Sequence, residues 1–153
     1  MKTPASSPIH FPTARQGSRQ PLLRLALLSA LMPLAGFSPS WADDTTPTQQ
    51  LQRFVTEAGQ PGDVAAGQRL FTDKHGGEWS CASCHGERPL ANGRHASTGK
   101  TIAPLAPAAN AKSLTDPAKV DKWLRRNCKD VLSRECSAAE KADVLAWLIS
   151  LKP

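Results

Sequence analysis

The stretch SCASCHGERP, residues 80–89, sets two thiols and an imidazole at the spacing Cys81-x-x-Cys84-His85. That grouping serves three chemistries: a zinc ion, a redox-active disulfide, or thioether attachment of a haem with the histidine beneath its iron. A structural zinc site needs four ligands, normally two cysteine pairs or a cysteine pair with a histidine pair. The remaining cysteines, Cys128 and Cys136, stand eight positions apart with no histidine pair beside them. A thioredoxin-like pair belongs in a βαβ unit, and no segment of this chain alternates with strand periodicity. Thioether attachment asks only for what is present. Cys81 and Cys84 are placed to bond one haem c covalently, and His85 to be the proximal iron ligand.

The chain has 153 residues, room for one ordinary domain. Residues 1–42 read separately from that domain. They hold Lys2, Arg15, Arg19 and Arg24 but no acid, then an apolar run at 25–37, then Ser40 and Ala42 at small-residue positions. This is the pattern of a cleaved secretory leader, which assigns the working domain to 43–153 and its location to the periplasm. A membrane anchor would need about 20 apolar residues, and this shorter run is interrupted by Pro33. No membrane span is therefore expected after cleavage.

Cleavage changes the charge argument. The formal +6 includes the four leader cations; residues 43–153 hold 15 Lys and Arg against 13 Asp and Glu, a balance of +2. Nothing in that balance calls for nucleic acid. The leader also takes with it Met1 and Met32, the two methionines of the chain. Residues 43–153 cannot offer a thioether to an iron.

Four short helices follow from local signals, at 47–59, 62–74, 116–127 and 137–151. The third opens with Asp116 and Pro117, and the fourth with a capping box, Ser137 and Glu140. In the fourth, Val144, Trp147, Leu148 and Leu151 form one apolar stripe. Residues 94–112 read as a long loop, tolerable where it wraps a large apolar object. Within it, Pro104 or a neighbour is expected to offer its carbonyl to the second ring nitrogen of His85.

On the third helix, Val120, Trp123 and Leu124 make an apolar stripe whose next position is Asn127. An amide there needs a partner, since burying one unpaired costs about 1–3 kcal/mol. Two partners satisfy it equally by periodicity: a backbone group or buried water, or an iron. Cys128 follows at once and, in an oxidising compartment, pairs with Cys136. A loop that short stabilises by roughly 2.5 kcal/mol in the chain-entropy model, and the same bond would hold Asn127 in register. His95 is a rival iron ligand, but it lies in a polar, Gly-rich stretch close after His85. His75, in the segment 72–79, reads as a surface-loop histidine.

Helices on both sides of Cys81-x-x-Cys84-His85, with Gly67 and Phe71 before it and Trp147 after it, resemble the class I cytochrome c fold. That resemblance implies an all-α domain around one covalently attached haem, with the terminal helices crossing at Gly67. The segments TGKTIAPLAP, VDKWLRRNC and CSAAEKADVLAWL, together with the Cys-x-x-Cys-His motif, are similar to the Sphaeroides haem protein family of periplasmic cytochromes c, over roughly 49–148. The resemblance implies that Asn127 ligates ferric iron and leaves on reduction, that the opened site takes a small ligand such as oxygen or nitric oxide, and that Cys128 and Cys136 are disulfide-bonded beside it. It also implies a dihaem cytochrome c as electron donor. The chemistry agrees, because an amide oxygen is a hard donor better suited to Fe(III) than to Fe(II). The chain is thus expected to be a monomeric redox and ligand-binding protein. The alternative is a plain six-coordinate electron carrier. Enzymatic turnover of nitric oxide with oxygen lacks support, since no distal acid–base group accompanies Asn127 beyond Arg125 and Arg126, whose orientation periodicity leaves open.

Overall fold

A computed structural model describes residues 45–153; the expected leader at 1–42 lies outside the described residues. The elements run α1 (Pro47–Ala58), α2 (Val64–Thr72), α3 (Ala82–His85), β1 (Gly93–Arg94), β2 (Thr101–Ile102), α4 (Pro117–Leu132) and α5 (Ala138–Ser150). The two strands pair antiparallel, with Gly93 opposite Ile102 and Arg94 opposite Thr101.

Each longer helix begins on a side-chain acceptor that satisfies amides the helix itself cannot. Thr46 and Gln49 form a capping box at α1, Asp63 accepts from the amides of Ala65 and Ala66, and Asp116 accepts from Lys119. Ser137 and Glu140 cap α5 reciprocally, as their spacing predicts. Gly59, at φ 70°, stops α1 in the left-handed conformation that glycine adopts without a Cβ clash.

Two parts of the expected layout differ. The third helix does not stop at Asn127 but continues through Leu132, ending at Ser133 with φ 56°. The apolar stripe explains the extension, for Val120, Cys128 and Val131 are all buried and Val131 carries the pattern one turn past Asn127. The segment 94–112 is not wholly loop. Its first part folds into the β1–β2 hairpin, with Gly99 at φ 67° in the turn.

The core forms where α5 crosses α1 and α2. Phe71, Ala106, Val144, Trp147, Leu148 and Leu151 make one buried cluster; Phe54, Val120, Ala142 and Leu145 make another. The rings of Phe71 and Trp147 sit with centroids 4.7 Å apart and planes tilted by 47°, an arrangement aromatic pairs favour. At the crossing, a Cβ on Gly67 would lie 2.0 Å from the carbonyl oxygen of Asp143, so only glycine lets the backbones approach this closely. The Asp143 side chain accepts from the Asp63 amide at 2.7 Å and binds the start of α2 to α5. From α1, Arg53 reaches both carboxylate oxygens of Asp121 on α4, at 3.1 and 2.8 Å. The disulfide Cys128–Cys136 ties α4 to the entrance of α5.

Two glycines allow a direct test of this account. Gly67→Ala is expected to destabilise by about 2–3 kcal/mol, because the added methyl meets backbone on both sides. Gly59→Ala, with no atom within 4 Å of the new Cβ, should cost only the left-handed conformation, roughly 1 kcal/mol. Equilibrium urea unfolding of the two holoproteins measures the difference.

A second test uses Glu140. The Arg134 guanidinium, bonded to it at 2.6 and 2.8 Å, together with the Ser137 amide, holds its carboxyl down at about 2, well below the ordinary 4.5. A depressed folded-state pKa contributes stability above the unfolded value and loses it as pH falls through the folded one. Wild type should therefore lose more unfolding free energy than Glu140→Gln between pH 5 and pH 2, as read from urea midpoints at each pH.

Candidate cofactor site

The Cys81–His85 turn is held from within and from behind. Ser80 and Ser83 exchange hydrogen bonds, the Ser80 amide to the Ser83 hydroxyl at 2.9 Å and the Ser83 amide to the Ser80 hydroxyl at 3.2 Å. The amide of His85 donates to the Cys81 carbonyl at 3.1 Å, closing the single turn of α3, and Gly86 ends it with φ 77°. Behind the turn lies the hairpin. A Cβ at Gly93 would fall 2.2 Å from the Cys84 carbonyl oxygen, so β1 rests directly on the α3 backbone. The amide of Ala96 donates to the Cys84 sulfur at 3.3 Å.

This turn forms part of the lining of a cavity of about 1220 Å³. That exceeds the roughly 300–1,000 Å³ of an ordinary small-molecule cleft. Phe71, Ile102, Leu105, Val120, Leu124 and Leu148 give it an apolar lining. Cys81 and Cys84, neither of them in a disulfide, both line it. Burial pushes the Cys81 thiol up to about 11 and pushes the His85 imidazole below its ordinary value, which favours the neutral ring, the form that ligates metals. Its ring stands 6.1 Å from that of Phe71.

Two thiols and a neutral imidazole on one turn, facing an apolar cavity of this size, fit a covalently attached porphyrin. They do not fit a bare metal ion. Among the described residues no group of three or more His, Cys, Asp or Glu is placed to hold one.

Asn127 lines the same cavity, partly buried, between the cavity-lining residues Leu124 and Cys128 of α4. Its side chain makes no hydrogen bond to any described residue. Neither a backbone group nor a described side chain meets it. His95 also lines the cavity, but Ser97 and Thr98 engage its Nδ1 within its own turn, at 3.2 and 3.3 Å. His75 stands apart on the exposed loop after α2, its Nε2 bonded to the Leu70 carbonyl at 2.9 Å.

The carbonyl expected beneath His85 is used differently. Asn110 Nδ2 donates to the Pro104 carbonyl at 2.9 Å, and the His85 ring has no hydrogen bond among the described residues. The amides of Leu105 and Ala106 both donate to the Pro89 carbonyl, at 3.1 and 3.0 Å, which draws the 102–107 segment against the end of the haem-motif loop. Asn110, Ser113 and Trp79 line the cavity without having been picked out in the sequence. Asn110 carried a usable signal, as an amide-bearing residue closing a Pro- and Ala-rich run; Trp79 carried none.

The chain matches a family described as Domain of unknown function (DUF1924) over residues 57–148. It is 45% identical over 131 residues to Cytochrome c-type protein SHP of Cereibacter sphaeroides, covering 83% of this chain and 98% of that protein. It is 43% identical over 82 residues to Cytochrome c'' of Methylophilus methylotrophus, covering 54% of this chain and 57% of that one. Among solved structures, oxidized SHP, an oxygen binding cytochrome c, superposes with a TM-score of 0.67 at 44% identity, over 71% of this chain and 99% of that one. Oxidized cytochrome c'' from Methylophilus methylotrophus superposes at 0.62 with 31% identity, over 70% and 95%. The helical architecture is thus that of an all-α cytochrome c fold, and the chain belongs to the SHP family of c-type cytochromes, monohaem proteins that carry haem c covalently bound.

Proposed function

We propose that this protein is a periplasmic monohaem cytochrome that accepts one electron and, once reduced, opens its sixth iron position to a small diatomic ligand such as oxygen or nitric oxide. One observation carries the reading: Asn127 lines the cavity beside Cys81, Cys84 and His85, its amide unbonded to any described residue, in a segment with no methionine.

Haem c, when bound, would supply a one-electron iron centre. Cys81 and Cys84 would hold the macrocycle by thioether bonds, and His85 would give the iron a nitrogen ligand. The apolar walls from Phe71, Val120, Leu124 and Leu148 exclude water and keep the dielectric low. Asn127 presents a neutral, hard amide oxygen, a donor that would suit ferric iron better than the softer ferrous state. The Cys128–Cys136 bond anchors the residue next to Asn127, so the side chain can swing while its backbone stays.

The relatives support this reading from two directions. SHP is an oxygen binding cytochrome c, and the solution structure of Methylophilus methylotrophus cytochrome c'' bears on haem-ligand detachment. Export through the 1–42 leader agrees with the disulfide, a bond of oxidising compartments. Among the described residues no helix is long and apolar enough to cross a membrane. A dihaem cytochrome c is the electron donor in this scheme, and the protein works as a ligand-binding redox carrier.

Optical spectra of the oxidised and reduced protein, with and without carbon monoxide, test the gate. Wild type should be six-coordinate when ferric, then five-coordinate, high-spin and quick to bind carbon monoxide when ferrous. Asn127→Ala should lose the six-coordinate ferric spectrum and leave the ferrous one nearly unchanged. A plain electron carrier would stay six-coordinate in both states and ignore carbon monoxide. Retention of the ferric spectrum in Asn127→Ala, with its loss in His95→Ala, would overturn the ligand assignment.

A further inference from the structure

The positive balance of residues 43–153 is gathered on one helix. Within residues 117–132, α4 carries Lys119, Lys122, Arg125, Arg126 and Lys129 against Asp121 and Asp130, a local +3. The rest of 43–153 holds ten cations and eleven acids. The whole positive balance of the segment therefore comes from α4.

The five cations share one side of the helix. Lys119, Lys122, Arg126 and Lys129 recur at intervals of three and four, Arg125 falls between Lys122 and Lys129 at the same spacing, and all five are exposed. Val120, Cys128 and Val131 turn the other way, into the core. The two acids do not neutralise the stripe. Asp121 is taken by Arg53 of α1, and Asp130 meets Arg126 only at 4.0 Å. Lys119 pairs with Asp116 at 3.0 Å and Lys129 with Glu135 at 3.3 Å, while Lys122 and Arg125, at the centre of the stripe, have no carboxylate partner among the described residues. Lys122 and Arg126 lie 5.4 and 5.8 Å from the centre of the Trp123 ring, which holds both heads close to the helix.

The stripe also borders the cofactor cavity. Lys119, Trp123 and Arg126 line that cavity, and Arg126 immediately precedes Asn127. A body seated on the α4 stripe would sit beside that cavity. Concentrated cations beside a cavity attract an oppositely charged partner, speed its encounter and orient it.

We propose that the exposed face of α4, centred on Lys122 and Arg125, is the docking surface for a protein one-electron donor that presents a carboxylate-rich face. One electron passes from the donor to ferric iron; the donor is oxidised by one electron, the iron is reduced to ferrous, and no covalent bond is made or broken. The assignment rests on the redox reading above, but not on the role of Asn127.

Reduction kinetics of the holoprotein test it, with two probes used as electron sources. Reduced flavodoxin serves as the acidic protein donor and reduced lumiflavin as a small neutral one. With flavodoxin the second-order rate constant should fall about tenfold between low and high ionic strength, and Lys122→Glu/Arg125→Glu should lower it about tenfold at low salt. Lys74→Glu/Lys100→Glu, on the loop after α2 and on the hairpin, should lower it less than about twofold. Lumiflavin rates should be the same in all three proteins, showing an intact haem site. Binding of oxidised flavodoxin, followed by calorimetry, should weaken in the same order. A flavodoxin rate insensitive to salt, or equal losses in the two double variants, would overturn the docking surface. Carbon monoxide binding after lumiflavin reduction reads the ligand gate separately, so either proposal can fail without the other.

Discussion

The approach of α2 to α5 at Gly67 is the constraint from which the rest of the architecture follows. Backbone meets backbone there, with the Asp143 carbonyl where any side chain of residue 67 would begin. That contact sets the spacing at which Phe71 and Trp147 stack and Val144 and Leu148 close over them. Phe71 in turn stands against His85, so the position of the imidazole depends on a helix crossing rather than on the loop that carries it. The cofactor motif supplies reactive groups, and the crossing decides where they are.

Around this frame the site is assembled from pieces that are weak alone. A four-residue helix is far too short to persist by propensity. Here α3 survives because Ser80 and Ser83 bond across it and β1 rests on the Cys84 carbonyl. The hairpin has only one pair of residues on each strand, and it too depends on this contact. Each stabilises the other, and both wall one cavity.

Helix α4 combines three tasks on three faces. Val120 and Val131 bury toward the core, Asn127 lines the cavity, and the cations face solvent. Its disulfide to Cys136 ties the turn that follows Asn127 to the entrance of α5.

Much of this was legible in the amino-acid sequence. Cap residues at Asp116 and Ser137 mark helix starts by local hydrogen bonding, which depends on neighbours a few positions away. The Cys81-x-x-Cys84-His85 spacing states its own chemistry, and the 3.6-residue period marks Asn127 as an inward residue without naming its partner. Long-range geometry was not legible. The continuation of α4 to Leu132, the turn of residues 93–102 into a hairpin, and the use of the Pro104 carbonyl by Asn110 all depend on which distant groups arrive alongside. The sequence by itself determined which residues could do chemistry and which faces had to be buried, because side-chain type and period are local properties. Only the tertiary structure decided that Asn127, His85 and both thiols share one cavity, because that rests on helix crossings between residues as distant as Gly67 and Asp143.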